Sequence, residues 1–452
     1  MQEVSPFQRI KGLRPRLELV LMLLAGQVIA LALAGLGFEF VVWLIGWNIT
    51  ILVLSFLDMT AVLRPNQIRI DRKIPSAVSC GEEFDLSYTL DAMREVEVMV
   101  FDEHPPNISA VGEQDGKSWR RLGAEGWSWT ERFVAERRGR LIWTQVNLIV
   151  RSPLRLWARR IQKNNLNSAV LNVFPRLSTS DSSLNDPSSL LAEFGIRPKA
   201  RRRGAGQDFR RLRPLSPGDS IRSIDWRATA RSGRHMVREY QPDERIEIII
   251  CLDHGRLMSL CGADGRAKLD HAVEAAARFA LVALASGDKV GVLTFGDKVR
   301  DYVPPSEGQL QFRLLLESIY DVEPSYNESN FLEAFSKLSQ ANSKRALVVF
   351  FTDFVDRRSG DSIVTALNLL GRKHRILFVS VADPSSEDLV YEAVNSKEQL
   401  SMSLAALHLR VQRDELSHHI GRLGIEALDL TPDELTTGSI NAYLKLRADG
   451  VI

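Results

Sequence analysis

The sequence predicts a mixed α/β protein: an N-terminal two-helix transmembrane hairpin, an antiparallel β sandwich, and a C-terminal doubly wound parallel sheet. Three observations predict it. Two uncharged runs lie within the first 57 of 452 residues, period-two alternation fills roughly the next hundred, and apolar runs alternate with helix-patterned segments from residue 245 onward. At roughly 100–200 residues per domain this length calls for several separate cores. With 45% hydrophobic and 25% charged residues the chain is neither disordered nor collagen-like. Cys80, Cys251 and Cys261 are too few and too irregularly spaced for a zinc ribbon or disulfide framework, and fit reduced thiols in a cytosolic setting. The expected divisions are 1–64 for the hairpin, 65–177 for the sandwich, 178–244 for a linker and basic segment, and 245–452 for the α/β domain.

Leu19 to Leu36 and Phe40 to Leu57 carry no charge and are separated by Gly37, Phe38 and Glu39. Each run gives roughly 27 Å of helix, enough for a bilayer core. A cleaved signal peptide fits less well, since the first run lacks a small-x-small cleavage site and a second run follows at once. Arg9, Lys11, Arg14 and Arg16 precede the first span, and Arg64, Arg69, Arg72 and Lys73 follow the second. The positive-inside rule then places both termini and the soluble domains on the cytoplasmic side of the membrane. Asn48 and Thr50 fall within the second span and are expected to bond to the neighbouring helix.

From Ile68 to about Pro175 the pattern is that of strands. Phe84–Leu90, Glu95–Phe101, Trp127–Val134 and Gln145–Val150 alternate with period two between glycine and proline turn signals, as in a small antiparallel sandwich. Trp119, Trp127, Trp129, Trp143 and Trp157 read better as core and cross-strand residues than as a carbohydrate platform. Ser178–Ser189, rich in Ser and Asp, reads as a linker.

The next segment is strongly basic. Between Arg197 and Tyr240 thirteen Lys or Arg face four acids, a charge of +9 in 44 residues, so the remaining residues total −7 and the formal +2 is a cancellation. Arg201, Arg202, Arg203, Arg210, Arg211 and Arg213 are candidate partner- or anion-binding residues. Three readings stay open: internal pairing of arginines with carboxylates, contact with an acidic partner or anionic lipid, and nucleic-acid binding. The last is disfavoured, because no helix-turn-helix, zinc finger or ribonucleoprotein motif accompanies the charge.

The run GQDFRRLRPLSPGDSIRSIDWRATARSGRHMVREYQPDERIEIIICLD, Gly206 to Asp253, resembles the signature of the bacterial domain of unknown function 58 family. The N-terminal hairpin, RRGRLIWTQVNLIVRSPLRLWARR (Arg137–Arg160) and the α/β tail follow the same family's layout. The resemblance implies a von Willebrand factor type A-like domain and, as partner, a MoxR-type AAA ATPase.

From the residues alone, Ile246–Leu252, Val290–Phe295, Ala346–Phe351, Ile376–Val381 and Ile425–Leu430 read as buried parallel strands. Helical spacing covers Leu269–Ser286, Gln309–Tyr320, Phe331–Gln340, Ile363–Leu370, Ser403–Leu423 and Pro432–Arg447. Ligands of such sheets bind beyond the carboxyl ends of the strands, where Asp253 and Asp353 fall. The resemblance implies a metal-ion-dependent adhesion site there, with D-x-S-x-S at the first strand. Asp253-His254-Gly255-Arg256-Leu257 lacks both serines. Asp253, Ser329 and Asp353 remain as candidate Mg2+ ligands of an incomplete site, or else the aspartates cap strand ends or pair with arginines. Arg256 is close enough in sequence to bring a guanidinium to the ion's position.

No phosphate loop, nucleophile elbow, HExxH helix or CxxC pair is present. The expectation is a non-enzymatic, membrane-anchored cytoplasmic scaffold or adaptor with no certain cofactor, touching lipid through its hairpin and working with a MoxR-type ATPase in complex assembly or maturation. The alternatives are a membrane-tethered metal-dependent hydrolase and a nucleic-acid or polyanion binder.

Overall fold

The computed structural model describes residues 12–34, 40–62, 64–112, 118–123, 126–177, 209–216, 224–240, 245–262, 264–342, 344–353, 367, 370–382 and 396–449. The expected linker Ser178–Ser189, the turn at Glu39 and Arg201, Arg202 and Arg203 lie outside these residues. Two compact units, Met1–Phe174 and Pro175–Ile452, divide the chain.

In the first unit, helices α1 (Leu17–Ala34) and α2 (Phe40–Ala61) pack together. Trp47 Nε1 donates to the Met22 carbonyl at 3.1 Å. A Cβ on Gly26 would stand 1.9 Å from the Trp47 ring, so the glycine permits the close approach. By length and composition α2 is long and apolar enough to cross a membrane, and α1 is a shorter apolar helix. Among the described residues, Asn48 and Thr50 make no bond between the helices. Asn48 Nδ2 donates to the Leu44 carbonyl at 2.7 Å and Thr50 Oγ1 to Gly46 at 2.8 Å, so each satisfies its polar group within its own helix.

The strands are β1 (Leu13–Pro15), β2 (Ile68–Lys73), β3 (Ala77–Ser79), β4 (Glu83–Ala92), β5 (Val96–Asp102), β6 (Ile108–Val111), β7 (Arg120–Leu122), β8 (Trp127–Ala135), β9 (Gly139–Arg151) and β10 (Trp157–Phe174). They form one sheet of order β1-β10-β9-β5-β7, with β3 added on β10, and a second of order β2-β4-β8-β6. Alternate residues of both sheets share one core that includes Tyr88, Phe133, Trp143 and Leu148. Trp129 and Trp143 are buried, Trp127 stacks on Trp129 with ring centroids 4.0 Å apart, and Arg151 lies 3.4 Å above Trp119. The Asp102 side chain is buried beside them and accepts from Arg72 at 2.8 and 2.9 Å and from Tyr88 Oη at 2.7 Å, the pairing that a buried carboxylate needs.

One joint ties helix to sandwich. Asp58, near the end of α2 and 3% exposed, accepts from Ser152 Oγ at 2.5 Å and from the Leu154 and Leu156 amides at 2.9 and 3.1 Å. Trp157 Nε1 donates to the carbonyl and hydroxyl oxygens of Ser55, both at 3.0 Å. Ahead of α1, β1 pairs with the start of β10, Leu13 opposite Arg159. Both ends of the helix pair are therefore fastened to the turn between β9 and β10, the RSPLRLW stretch.

In the second unit β13 (Glu247–Asp253), β14 (Lys289–Phe295), β15 (Val299–Ser306), β16 (Leu347–Thr352), β17 (Arg375–Val381) and β18 (Glu426–Leu430) make a sheet of order β15-β14-β13-β16-β17-β18. All neighbours are parallel except β15 on β14. One face packs on helices Lys268–Ala285, Gln309–Ile319 and Leu435–Ala448, and the other on Phe331–Ala341 with Leu367, Leu370 and Ile420. This is the two-faced burial that fully apolar strands demand. Strand β15, not expected from the sequence, contains Pro304 and Pro305 and lies at the sheet's edge, where a missing donor costs no ladder bond.

The described part of the basic segment carries structure of its own. Strands β11 (Phe209–Pro214) and β12 (Met236–Tyr240) pair antiparallel around the helix Trp226–Ser232. Asp225 caps that helix, accepting from the Arg227 and Ala228 amides at 2.9 and 3.1 Å, and Gly233 ends it at φ 65°.

Candidate functional site

Strands β13, β16 and β17 end side by side, and their last residues set the site. Asp253 closes β13, Thr352 closes β16 with Asp353 after it, and Ser380 and Val381 close β17. Ser329 arrives from the loop ahead of the helix Phe331–Ala341, whose N-cap is Asn330. That loop is stitched to the residues after β13: the Ser325 amide donates to the His254 carbonyl at 2.6 Å and the Arg256 amide to Asn327 at 2.8 Å.

Asp253 is 2% exposed. Its Oδ1 accepts from Ser329 Oγ at 2.5 Å and from the Gly255 amide at 2.8 Å, while Oδ2 accepts from Thr352 Oγ1 at 2.6 Å. Burial raises the Asp253 carboxyl above its usual range, with the nearby Asp353 adding to the rise against these three bonds. Asp353 is equally buried. Its Oδ2 accepts from Lys268 Nζ at 2.6 Å, and Oδ1 lies 3.0 Å from Arg413 Nη1 and accepts from Ser380 Oγ at 3.3 Å. Arg413 also donates to Asp429 at 2.6 Å. Burial works against its charge, but the Asp353 and Asp429 carboxylates outweigh it and hold its pKa above the usual value.

The three expected ligand residues are thus partly assembled: Asp253 and Ser329 touch directly, and Asp353 joins them through Thr352, whose hydroxyl also lies 3.3 Å from the Asp353 carbonyl. Gly255 has a reason to be glycine, since a Cβ there would stand 1.9 Å from Ser329 Oγ. The hydroxyl absent from the first strand's turn is supplied from the later loop, in the same place. Arg256 does not enter the site as expected. It pairs at 3.5 Å with Glu328 and is mostly exposed, because its backbone is held to Asn327 and its side chain leaves outward.

Sequence reasoning missed Thr352, Lys268 and Arg413. Thr352 carried a signal, as a hydroxyl one residue before the strand-end aspartate. Lys268 carried a fainter one, a cation in the first position of a helix rich in alanine. Arg413 carried none, being one of many charges on Lys397–Arg422.

A divalent ion needs oxygen ligands free to converge on one centre. Here each of the four carboxylate oxygens accepts a bond from a protein donor, and two of the donors are cations. Among the described residues no group of three or more His, Cys, Asp or Glu is placed to hold a metal. The set does not fit Mg2+. Of the anion-binding candidates, Arg210, Arg211 and Arg213 lie on β11. Beside that strand the capped helix exposes Trp226, at 63%, together with Arg227 and Arg231.

Uncharacterized proteins of Mycobacterium tuberculosis and Mycobacterium bovis are 25% identical over 188 residues, 41% of this chain and 58% of theirs. The chain thus spans a little over half the length of these relatives. A solved structure, the conserved hypothetical protein BatB from Bacteroides thetaiotaomicron, is similar at 16% identity and a TM-score of 0.30, covering 45% of this chain and 99% of that one. Residues 211–414 match the family described as "Protein of unknown function DUF58", the segment that joins the basic signature to the strand-end cluster.

Proposed function

We propose that this protein is a membrane-anchored interaction adaptor whose second unit engages an acidic partner surface, by resemblance that of a MoxR-type AAA ATPase. The observation that carries the reading is the helix Trp226–Ser232. Asp225 and Gly233 cap both its ends, and it presents a large exposed indole among Arg227, Arg231 and the neighbouring Arg234. Trp and Arg are the residues that most often dominate protein–protein binding energy, and a rigid presentation lowers the ordering cost of binding. The parallel sheet supplies the frame, by resemblance a von Willebrand A-like one, and Asp253, Ser329 and Asp353 brace its rim instead of reaching the partner.

Anchoring falls to α1 and α2 as a transmembrane hairpin with both ends on the cytoplasmic face, supported by the apolar α2 and by Arg14, Arg16 and Arg64 at the helix ends. Fastening both ends to the turn between β9 and β10 makes the anchor one piece with the sandwich.

Cross-linking in intact membranes tests the reading. Wild type is expected to recover a MoxR-type ATPase, and Trp226→Ala with Arg231→Glu to lose it. Recovery unchanged by these substitutions would remove this face from the interface, and no ATPase cross-link from wild type would sink the adaptor reading.

A further inference from the structure

Lys268 sits where electrostatics argue against a cation. It is the first residue of the helix Lys268–Ala285, so its charge opposes the positive end of the helix dipole, and it is 4% exposed. Burying an ammonium there is costly unless paired. The pairing is supplied by the strand ends: Nζ donates to Asp353 Oδ2 at 2.6 Å and to the Val381 carbonyl at 3.0 Å. Two oxygens from the ends of adjacent strands β16 and β17 therefore converge on one buried positive charge. Arg413 adds a second cation on the far oxygen of Asp353 and on Asp429.

We infer that Lys268 is a built-in cation for the strand-end site, holding the ends of β16 and β17 as a divalent ion would and closing the site to metal. Lys268 and Arg413 offset Asp353 and Asp429 without an ion, which leaves Asp253 as the one carboxylate with no cation on it, held by three neutral donors. Binding through this unit is then independent of Mg2+. Only that last consequence rests on the adaptor reading.

The test uses the full chain purified in detergent, with Mn2+ as probe followed by electron paramagnetic resonance, and with the thermal midpoint read in chelator and in Mg2+. Wild type is expected to show no saturable Mn2+ binding and no midpoint change between the two conditions. Lys268→Ala leaves Asp353 short of its nearest cation and is expected to lower the midpoint by about 10 °C. Mg2+ or Mn2+, but not Na+, is expected to restore part of that loss. One Mn2+ bound per wild-type chain and lost in Asp253→Asn would overturn the inference, as would a folded Lys268→Ala protein indifferent to divalent ions. If Lys268→Ala does not fold, Lys268→Met combined with Asp353→Asn decides. Removing both charges is expected to return the midpoint to within a few degrees of wild type, and a double variant that is itself too unstable to fold refutes the pairing. These outcomes involve no partner, so they fail separately from the cross-linking experiment.

Discussion

Replacing Asp58 by alanine probes the joint between α2 and the sandwich. The carboxylate serves three donors, and their fates differ once it is gone. Ser152 Oγ keeps an acceptor, because the Trp157 carbonyl lies 3.0 Å away. The Leu154 amide belongs to a residue about half exposed, so water can reach it. The Leu156 amide cannot be rescued in this way, since Leu156 is 2% exposed. One fully orphaned buried amide costs about 1–3 kcal/mol and a partly hydrated one less, giving about 2–4 kcal/mol in all. For a unit of this size that is a fall of roughly 5–15 °C in thermal midpoint. The assay is thermal unfolding of the full chain in detergent, paired with amide hydrogen exchange across residues 152–157. Asp58→Asn, which keeps one acceptor oxygen, is expected to fall between wild type and alanine. A midpoint within about 2 °C of wild type, with exchange at Leu156 unchanged, would refute the view that this carboxylate fastens the helix.

Gly255→Ser, which restores the hydroxyl expected of an adhesion-type site, is expected to destabilise the second unit because its Cβ collides with Ser329 Oγ; Ser329→Gly in the same chain should recover much of the loss in a thermal melt. Acid should destabilise the second unit through His254, His271 and His374, all lowered by burial from an ordinary 6.5. The unfolded chain binds their protons more readily, so the stability they contribute is complete above about pH 6.5 and declines as pH falls toward the depressed folded values. Asp253, raised by burial from an ordinary 3.8, has the opposite sign, so His374→Phe should flatten a pH series of urea midpoints near pH 6 and Asp253→Asn should not. Among the thiols, exposed Cys261 should react with a maleimide within minutes, while Cys251, buried and pushed up by burial, should react only on unfolding.

The second unit's sheet was open to sequence reasoning because its chemistry is local. A strand buried on both faces is apolar along nearly its whole length, so Ile246–Leu252, Val290–Phe295, Ala346–Phe351 and Ile376–Val381 each fall within one residue of the observed ends, as does the less buried Ile425–Leu430. Strand β15 escaped because VRDYVPPS is exposed on one side and carries two prolines, features shared with loops. The sandwich was half legible. Its longer alternating strands were visible, whereas β1, β3 and β7 are three residues each and exist through their partners.

The strand-end site divides along the same line. That Asp253 and Asp353 stand beyond strand ends follows from local pattern and topology, and both are there. What neutralises them does not follow, because the donors come from far along the chain: Ser329 is 76 residues from Asp253, and Lys268 is 85 from Asp353. A missing serine at position 255 looks like a lost ligand when the turn is considered alone. With the fold in view it is a steric requirement of Ser329, and the buried ammonium of Lys268 takes up the charge that the missing ligands would have left to a metal. A degenerate metal motif therefore has two physical meanings, a site abandoned or a site rebuilt around a side-chain cation. A lysine at the head of a buried helix, where the helix dipole disfavours it, is the sequence mark of the second.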